Sequence, residues 1–164
     1  MCRQREVNRL LEGEHRANLE LLGRLEQRLV RPQRGAPAAD SELTGLLGQL
    51  VRQLQRDTGR HFEFEENELF PRMTEAGDGD IAGLLREEHE TIRELAHELL
   101  PLATAAAGGV LDAEGWQALR RATLEMAERQ VAHIQKESLA LLPLLDDLLD
   151  DETDQRLAID YMAA

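Results

Sequence analysis

Cysteine occurs once in 164 residues, at Cys2, and tryptophan and tyrosine also occur once each. A lone thiol near the start of the chain excludes an internal disulfide and a thiolate metal cluster, and it offers no paired thiol chemistry. A protein without disulfides suits a reducing compartment, so the cytoplasm is the expected location. Positive charge is scarce too: 19 Lys and Arg stand against 32 Asp and Glu, a formal net charge of −13. Nucleic acid and anionic membrane are excluded as partners, because both are bound through basic patches that displace counterions. No apolar run approaches the roughly 20 residues that span a bilayer, and no basic start leads into one. A soluble, non-exported protein is therefore expected. The chain also lacks a Gly-rich phosphate loop and a Ser-His-Asp order, which removes most phosphate-handling and acyl-transfer enzymes.

What is present is leucine, alanine and glutamate. With 42% hydrophobic but only 3% aromatic residues, the core is expected to be helical, in a single domain spanning 1–164. Four segments carry helical periodicity. The first runs from about Glu6 to Val30, ended by Pro32 to Pro37. The second opens at the good N-caps Asp40 and Ser41 and breaks at Asp78-Gly79-Asp80. The third runs from about Asp80 to Leu99, before Pro101 and then Gly108-Gly109 end it. The fourth, capped by Asp112, carries Trp116, Leu119, Thr123, Met126, Gln130, His133, Glu137, Ala140 and Leu144 at alternating spacings of three and four, one continuous inward stripe. Short connections between long helices predict an all-α fold, an up-down-up-down antiparallel four-helix bundle over about residues 6–145. Residues 146–164 are expected to form a short C-terminal helical extension closing one end.

The chain is written twice. His61, Glu65 and Pro71 recur 72 residues later as His133, Glu137 and Pro143, and Glu14-His15 recurs 74 residues later as Glu88-His89. In an antiparallel bundle His15 and His89, near helix starts, reach the same level as His61 and His133, near helix ends. Residues four apart lie on nearly one helix face, so each His-x-x-x-Glu aims an imidazole and a carboxylate at one point. A glutamate on a Leu-rich stripe is costly without a partner, and here two stand at equivalent positions beside histidines. The set predicts two metal ions, with His15 and His61 on one, His89 and His133 on the other, and Glu65 and Glu137 bridging. Imidazole with carboxylate suits iron, and also manganese or zinc.

The run His61-Phe62-Glu63-Phe64-Glu65-Glu66-Asn67-Glu68-Leu69-Phe70-Pro71, with His15, His89 and His133 to Glu137 at these intervals, resembles the hemerythrin-like, or HHE cation-binding, family over about residues 6–145. The resemblance implies a non-haem di-iron centre, oxo- or hydroxo-bridged, within a four-helix bundle, able to interact with peroxide, dioxygen or nitric oxide. It also implies that His15, His61, Glu65, His89, His133 and Glu137 occupy the family's ligand positions. The oxygen carriers of that family have a further histidine where this chain has Arg93. Its loss predicts two similar sites with open coordination and weakens a reversible-carrier reading. Phe62 stands where the iron-sensing relatives place a carboxylate.

Other residues are expected to play smaller parts. His97 is too far along its helix from His89 to share a centre, and Arg93 reads as a salt-bridge partner. Gln130 is a candidate to support a ligand, and Tyr161, on a folded-back tail, a candidate to reach an open metal position. Beyond Glu65, the acidic runs 63–68 and 146–151 read as solvated faces. Leu- and Ala-rich walls suit a small substrate. The leading expectation is a di-iron oxidoreductase that reduces or disproportionates peroxide or dioxygen. The alternatives are a sensor or store for dioxygen, nitric oxide or iron without turnover, and an oxygenase acting on an organic substrate.

Overall fold

The computed structural model describes residues 4–31 and 40–164, and among these the chain is built of long helices with no strand. Cys2 and the expected Pro32 to Pro37 break lie outside the described residues. Helix α1 spans Glu6–Leu29 and buries Val7, Leu11, His15, Asn18, Leu22, Leu25 and Leu29 on one stripe. Asp40 caps the next helix, accepting from the Leu43 amide at 3.1 Å. That helical rod comprises α2 (Ser41–Arg56), α3 (Phe62–Phe64) and α4 (Phe70–Glu75), with wide π turns at Asp57–His61 and Glu65–Leu69 between them. A π turn carries one extra residue and rotates the side chains that follow, and such turns concentrate at functional sites. Here they fall on His61 and Glu65.

The rod ends where Gly77, at φ 98°, takes the left-handed conformation that glycine adopts without penalty. The Asp78 amide then reaches back to the Met73 carbonyl at 2.8 Å, closing the helix end. Helix α5 runs from Gly79 to Ala107, passing through Pro101 rather than stopping before it. Proline costs a helix a hydrogen bond and crowds the preceding turn, but Leu99, Ala103 and Ala106 are all fully buried. Their packing outweighs the local preference. Gly109, at φ 72°, closes this helix. Helix α6, Ala113–Ala140, starts at Asp112, whose carboxylate accepts from the Gly115 amide.

Helix α1 packs on α2 and α6, and α5 packs on the same two, which closes the antiparallel bundle. The C-terminal extension is ordered as a 3₁₀ turn at Leu142–Leu144, α7 (Leu145–Leu148) and α8 (Asp151–Ala163). Asp150 caps α8 at the Thr153 amide. One turn further, Asp154 caps a different helix: its two oxygens accept from the Glu6 and Val7 amides of α1 at 2.8 and 3.0 Å. These are two of the four donors that a helix start leaves open. Arg5 pairs with Asp151 across the same junction.

Two apolar clusters fill the interior. One, around Leu22, Leu25, Leu47, Leu50, Leu99 and Leu119, occupies the long end of the bundle. The other, around Val7, Leu11, Phe70, Met73, Leu85, Leu145 and Leu157, lies beneath α8. Along every long helix the boundary between them is polar: His15 on α1, His61 and Glu65 on the rod, His89 on α5, and His133 and Glu137 on α6.

Candidate metal centre

All six of these side chains are at most 5% exposed, and Glu65, His89 and Glu137 are fully buried. Their donor atoms fall into two groups. His15, His61, Glu65 and Glu137 converge within 4.8 Å, and so do His89, His133 and Glu137. The grouping follows the pairing expected from helix adjacency, but Glu137 belongs to both groups and Glu65 to one. Oε1 of Glu137 lies 2.6 Å from His133 Nε2 and 3.4 Å from His89 Nε2, while Oε2 lies 2.8 Å from His15 Nε2. Glu65 Oε1 lies 2.5 Å from His61 Nε2.

Hydrogen bonding does not account for this packing. His15 Nε2, both oxygens of Glu65 and Oε2 of Glu137 make no well-formed hydrogen bond, although His61 stands at ion-pair distance from Glu65 and His15 from Glu137. His89 and His133 present their Nε2 atoms to each other at 3.1 Å. Two neutral nitrogens meeting lone pair to lone pair would repel, so this contact needs either a proton between them, which His133 carries when no ion is bound, or a shared ion about 2.0–2.1 Å from each. Unpaired buried donors that all point to the same places fit a cation, and mixed imidazole and carboxylate suits a transition metal of the iron or zinc type.

The opposite ring nitrogens show which histidines are held. His61 Nδ1 meets Glu14 Oε2 at 2.6 Å, His89 Nδ1 meets Glu66 Oε1 at 2.9 Å, and His133 Nδ1 meets Glu88 Oε1 at 3.1 Å. An ionised carboxylate only accepts, so each Nδ1 carries the proton and each Nε2 is left as the donor facing the centre. This carboxylate support fixes ring orientation and strengthens a metal-binding histidine. His15 has none, and its Nδ1 is buried without a partner. The repeat explains why: Glu66 follows Glu65, but the residue that follows Glu137 is Ser138.

Glu66 is therefore part of the centre's support and not a solvated face. Arg93 grips it at 2.8 and 3.0 Å, as expected of a salt-bridge residue, and its guanidinium lies 5.5 Å from the Phe62 ring centroid. Phe62 in turn stacks flat on His89 at 3.8 Å. Lys136 holds Glu88 at 2.5 Å. His97 is exposed on α5. Tyr161 does not join either donor group. Its hydroxyl donates to Glu14 at 2.5 Å, since α8 lies along the outside of α1 and brings the tyrosine only as far as the carboxylate behind His61.

Protonation in the metal-free centre follows from these contacts. Burial pushes the Glu65 carboxyl up, and the adjacent Glu137 pushes it further, to about 8. Burial acts the same way on Glu137, but His133, His15 and His89 together pull it well below the usual range. Burial opposes the charging of His133, yet Glu137 raises it to about 9. Protons thus stand where cations would.

Beside the first group lies a cavity of about 10 Å³, roughly the room of one water. Its walls are not the Leu- and Ala-rich surface expected. Asn18, Asp57 and Gln130 line it together with Phe62 and Ile134. Asn18 Nδ2 donates to Asp57 at 2.6 Å, burial raises Asp57 to about 6, and Gln130 Nε2 has no partner. Asp57 and Asn18 carried no signal in the sequence reading. Glu14 and Glu88 did, through their repetition beside His15 and His89, but each supports a histidine on the neighbouring helix instead of the one next to it.

The family model of the hemerythrin HHE cation binding domain matches residues 6–145, which takes in all six donors and the three supporting carboxylates. No curated protein and no solved structure matches the chain.

Proposed function

The chain belongs to the hemerythrin HHE cation-binding domain family, and we propose that its centre holds two iron ions and turns over a small oxidant, hydrogen peroxide or dioxygen. The observation that carries this reading is the reach of Glu137 into both groups: Oε1 faces His89 and His133 while Oε2 faces His15. A carboxylate so placed would contribute a donor to each of two ion positions. His15, His61 and Glu65 would complete one position, and His89 and His133 the other. Bound iron would supply Lewis acidity and a reversible change of oxidation state; in disproportionation one peroxide would provide the electrons that reduce another, whereas net reduction of either oxidant would draw on an external one- or two-electron donor.

The chain's own residues bind, orient and exclude. Glu14, Glu66 and Glu88 keep three imidazoles in the Nδ1–H tautomer, so that each ligand geometry is set before any ion arrives. The two apolar clusters above and below the polar belt keep bulk water out. The cavity of about 10 Å³ has no room for an organic substrate, which argues against the oxygenase reading. Asn18, Asp57 and Gln130 offer a small oxidant polar contacts.

The test is metal content per chain on protein expressed with iron, with the visible spectrum recorded before and after hydrogen peroxide while oxygen release is followed. Two irons, an oxo-bridge absorption and steady oxygen evolution are expected. Two irons with a spectral change and no turnover would replace the enzyme reading with that of a sensor or store. Zinc alone, or no metal, would remove both.

A further inference from the structure

Three histidines have a carboxylate behind them, and each carboxylate is held by an outer partner. For His89 the chain of contacts is Glu66 and then Arg93; for His133 it is Glu88 and then Lys136. Both outer partners are cations from the bundle itself. For His61 it is Glu14 and then Tyr161, a neutral phenol from α8, which lies beyond residues 6–145.

The contact is a built one. Tyr161 is 5% exposed, and its ring is fixed by Phe64 at 4.7 Å and by the Arg60 guanidinium at 4.5 Å from its centroid. Its helix is locked to α1 by Asp154 and by Leu157 and Ala158 in the apolar cluster beneath α8. The hydroxyl and His61 Nδ1 meet the same oxygen, Glu14 Oε2, at 2.5 and 2.6 Å. One oxygen taking two donors has its position fixed by both, so the phenol determines where the acceptor for His61 Nδ1 sits. Glu14 is a quarter exposed and without that bond its side chain has other rotamers open to it. His61 would then lose the partner that holds its Nδ1 proton and directs Nε2 toward Glu65.

We propose that Tyr161 is a positioning residue for the metal position formed by His15, His61 and Glu65, acting through Glu14 and coupling the docking of the C-terminal helix to retention of that ion. The coupling runs both ways, because an ion that fixes His61 must strengthen the docking of α8 by the same factor. The proposal rests on the reading of the centre as a two-metal site.

The test is a stepwise cobalt(II) titration of the full chain, followed by d–d absorption and by calorimetry, on wild type, Tyr161→Phe, Glu14→Gln and the double variant. Tyr161→Phe keeps the ring and removes only the hydroxyl. It is expected to weaken one of two ions about tenfold, within the range seen when the support of a metal ligand is lost. The cobalt bands of that ion should change while those of the other stay as in wild type. Because the phenol acts through Glu14, the double variant is expected to be no weaker than Glu14→Gln alone. Unchanged affinities in Tyr161→Phe overturn the proposal, as does equal weakening of both ions, which would mean general loosening, or an effect that adds to that of Glu14→Gln. A wild type that takes up no cobalt overturns the two-metal reading beneath it, and this proposal with it.

Discussion

The two donor groups descend from one repeated pattern, yet they are built to different standards. His89 and His133 each have a carboxylate behind them, held in turn by Arg93 or Lys136, and Phe62 stacks on His89. The other group has two carboxylates facing inward, Glu65 and Glu137, but His15 has nothing behind it and the Glu14 supporting His61 depends on the tail. One group has both histidines backed and a single inward carboxylate, the other has two inward carboxylates and one histidine with no carboxylate behind it. Repetition thus supplied the candidate donors, and their surroundings made the positions unequal.

The comparison breaks most completely at Glu137. Glu137→Ala removes a donor from both groups, so metal content measured by elemental analysis is expected to fall at both positions. Glu65→Ala should empty only the His15 and His61 position. Equal loss in the two variants would show that the carboxylates serve both positions alike.

Metal removal should act next most strongly, with a sign set by the buried acid and base. Glu65 (about 8, raised from 4.5) and His133 (about 9, raised from 6.5) are both raised on folding. They therefore favour the folded metal-free protein below pH 4.5 and 6.5 respectively. That advantage is lost as pH climbs through about 8 and 9. The melting temperature of metal-free protein should fall between pH 6.5 and 9, by about 2–4 °C for each kcal/mol lost. Metal takes the place of these protons, so loaded protein should show little of this decline, and parallel curves would refute the account.

A smaller change sharpens the contrast from the fully backed side. Arg93→Met frees Glu66 from its cation, and the ion held by His89 and His133 should bind about tenfold more weakly in calorimetry, with the other ion unaffected. From the partly backed side, Ser138→Glu restores to the second half the acid that follows Glu65 in the first. It is expected to give His15 Nδ1 an acceptor and tighten that ion several-fold, and an unchanged affinity would show that the position cannot reach. The smallest effect belongs to His97→Ala, where metal content should equal wild type. Halved content would mean that the donor set is misassigned.

The bundle and the donor set were legible because both rest on periodicity. Inward stripes repeat every three or four residues, and His15, His61, His89 and His133 fall on those stripes at heights that an antiparallel arrangement makes equal. Asp40 and Asp112 announced their helix starts by the same local logic. Pro101 misled, because its preference against helix is weaker than the burial of Leu99, Ala103 and Ala106 on either side. The π turns at Asp57–His61 and Glu65–Leu69 left no trace in a reading that assumes even helical pitch. Glu66 looked like one more member of an acidic run, since facing His89 is a matter of which neighbouring helix lies opposite.

By itself, then, the sequence determined everything that a single helix can encode: where helices run, which residues face inward, and that two His-x-x-x-Glu pairs and two single histidines share a level. Side-chain spacing along one helix is fixed by covalent geometry and pitch, so it survives whatever the helix packs against. Only the tertiary structure decided which carboxylate stands behind which histidine, that Glu137 reaches both groups, and that Tyr161 stops at Glu14. Those contacts join residues far apart in the chain across helix interfaces, where an ångström of rotation or an extra residue in a π turn changes the partner.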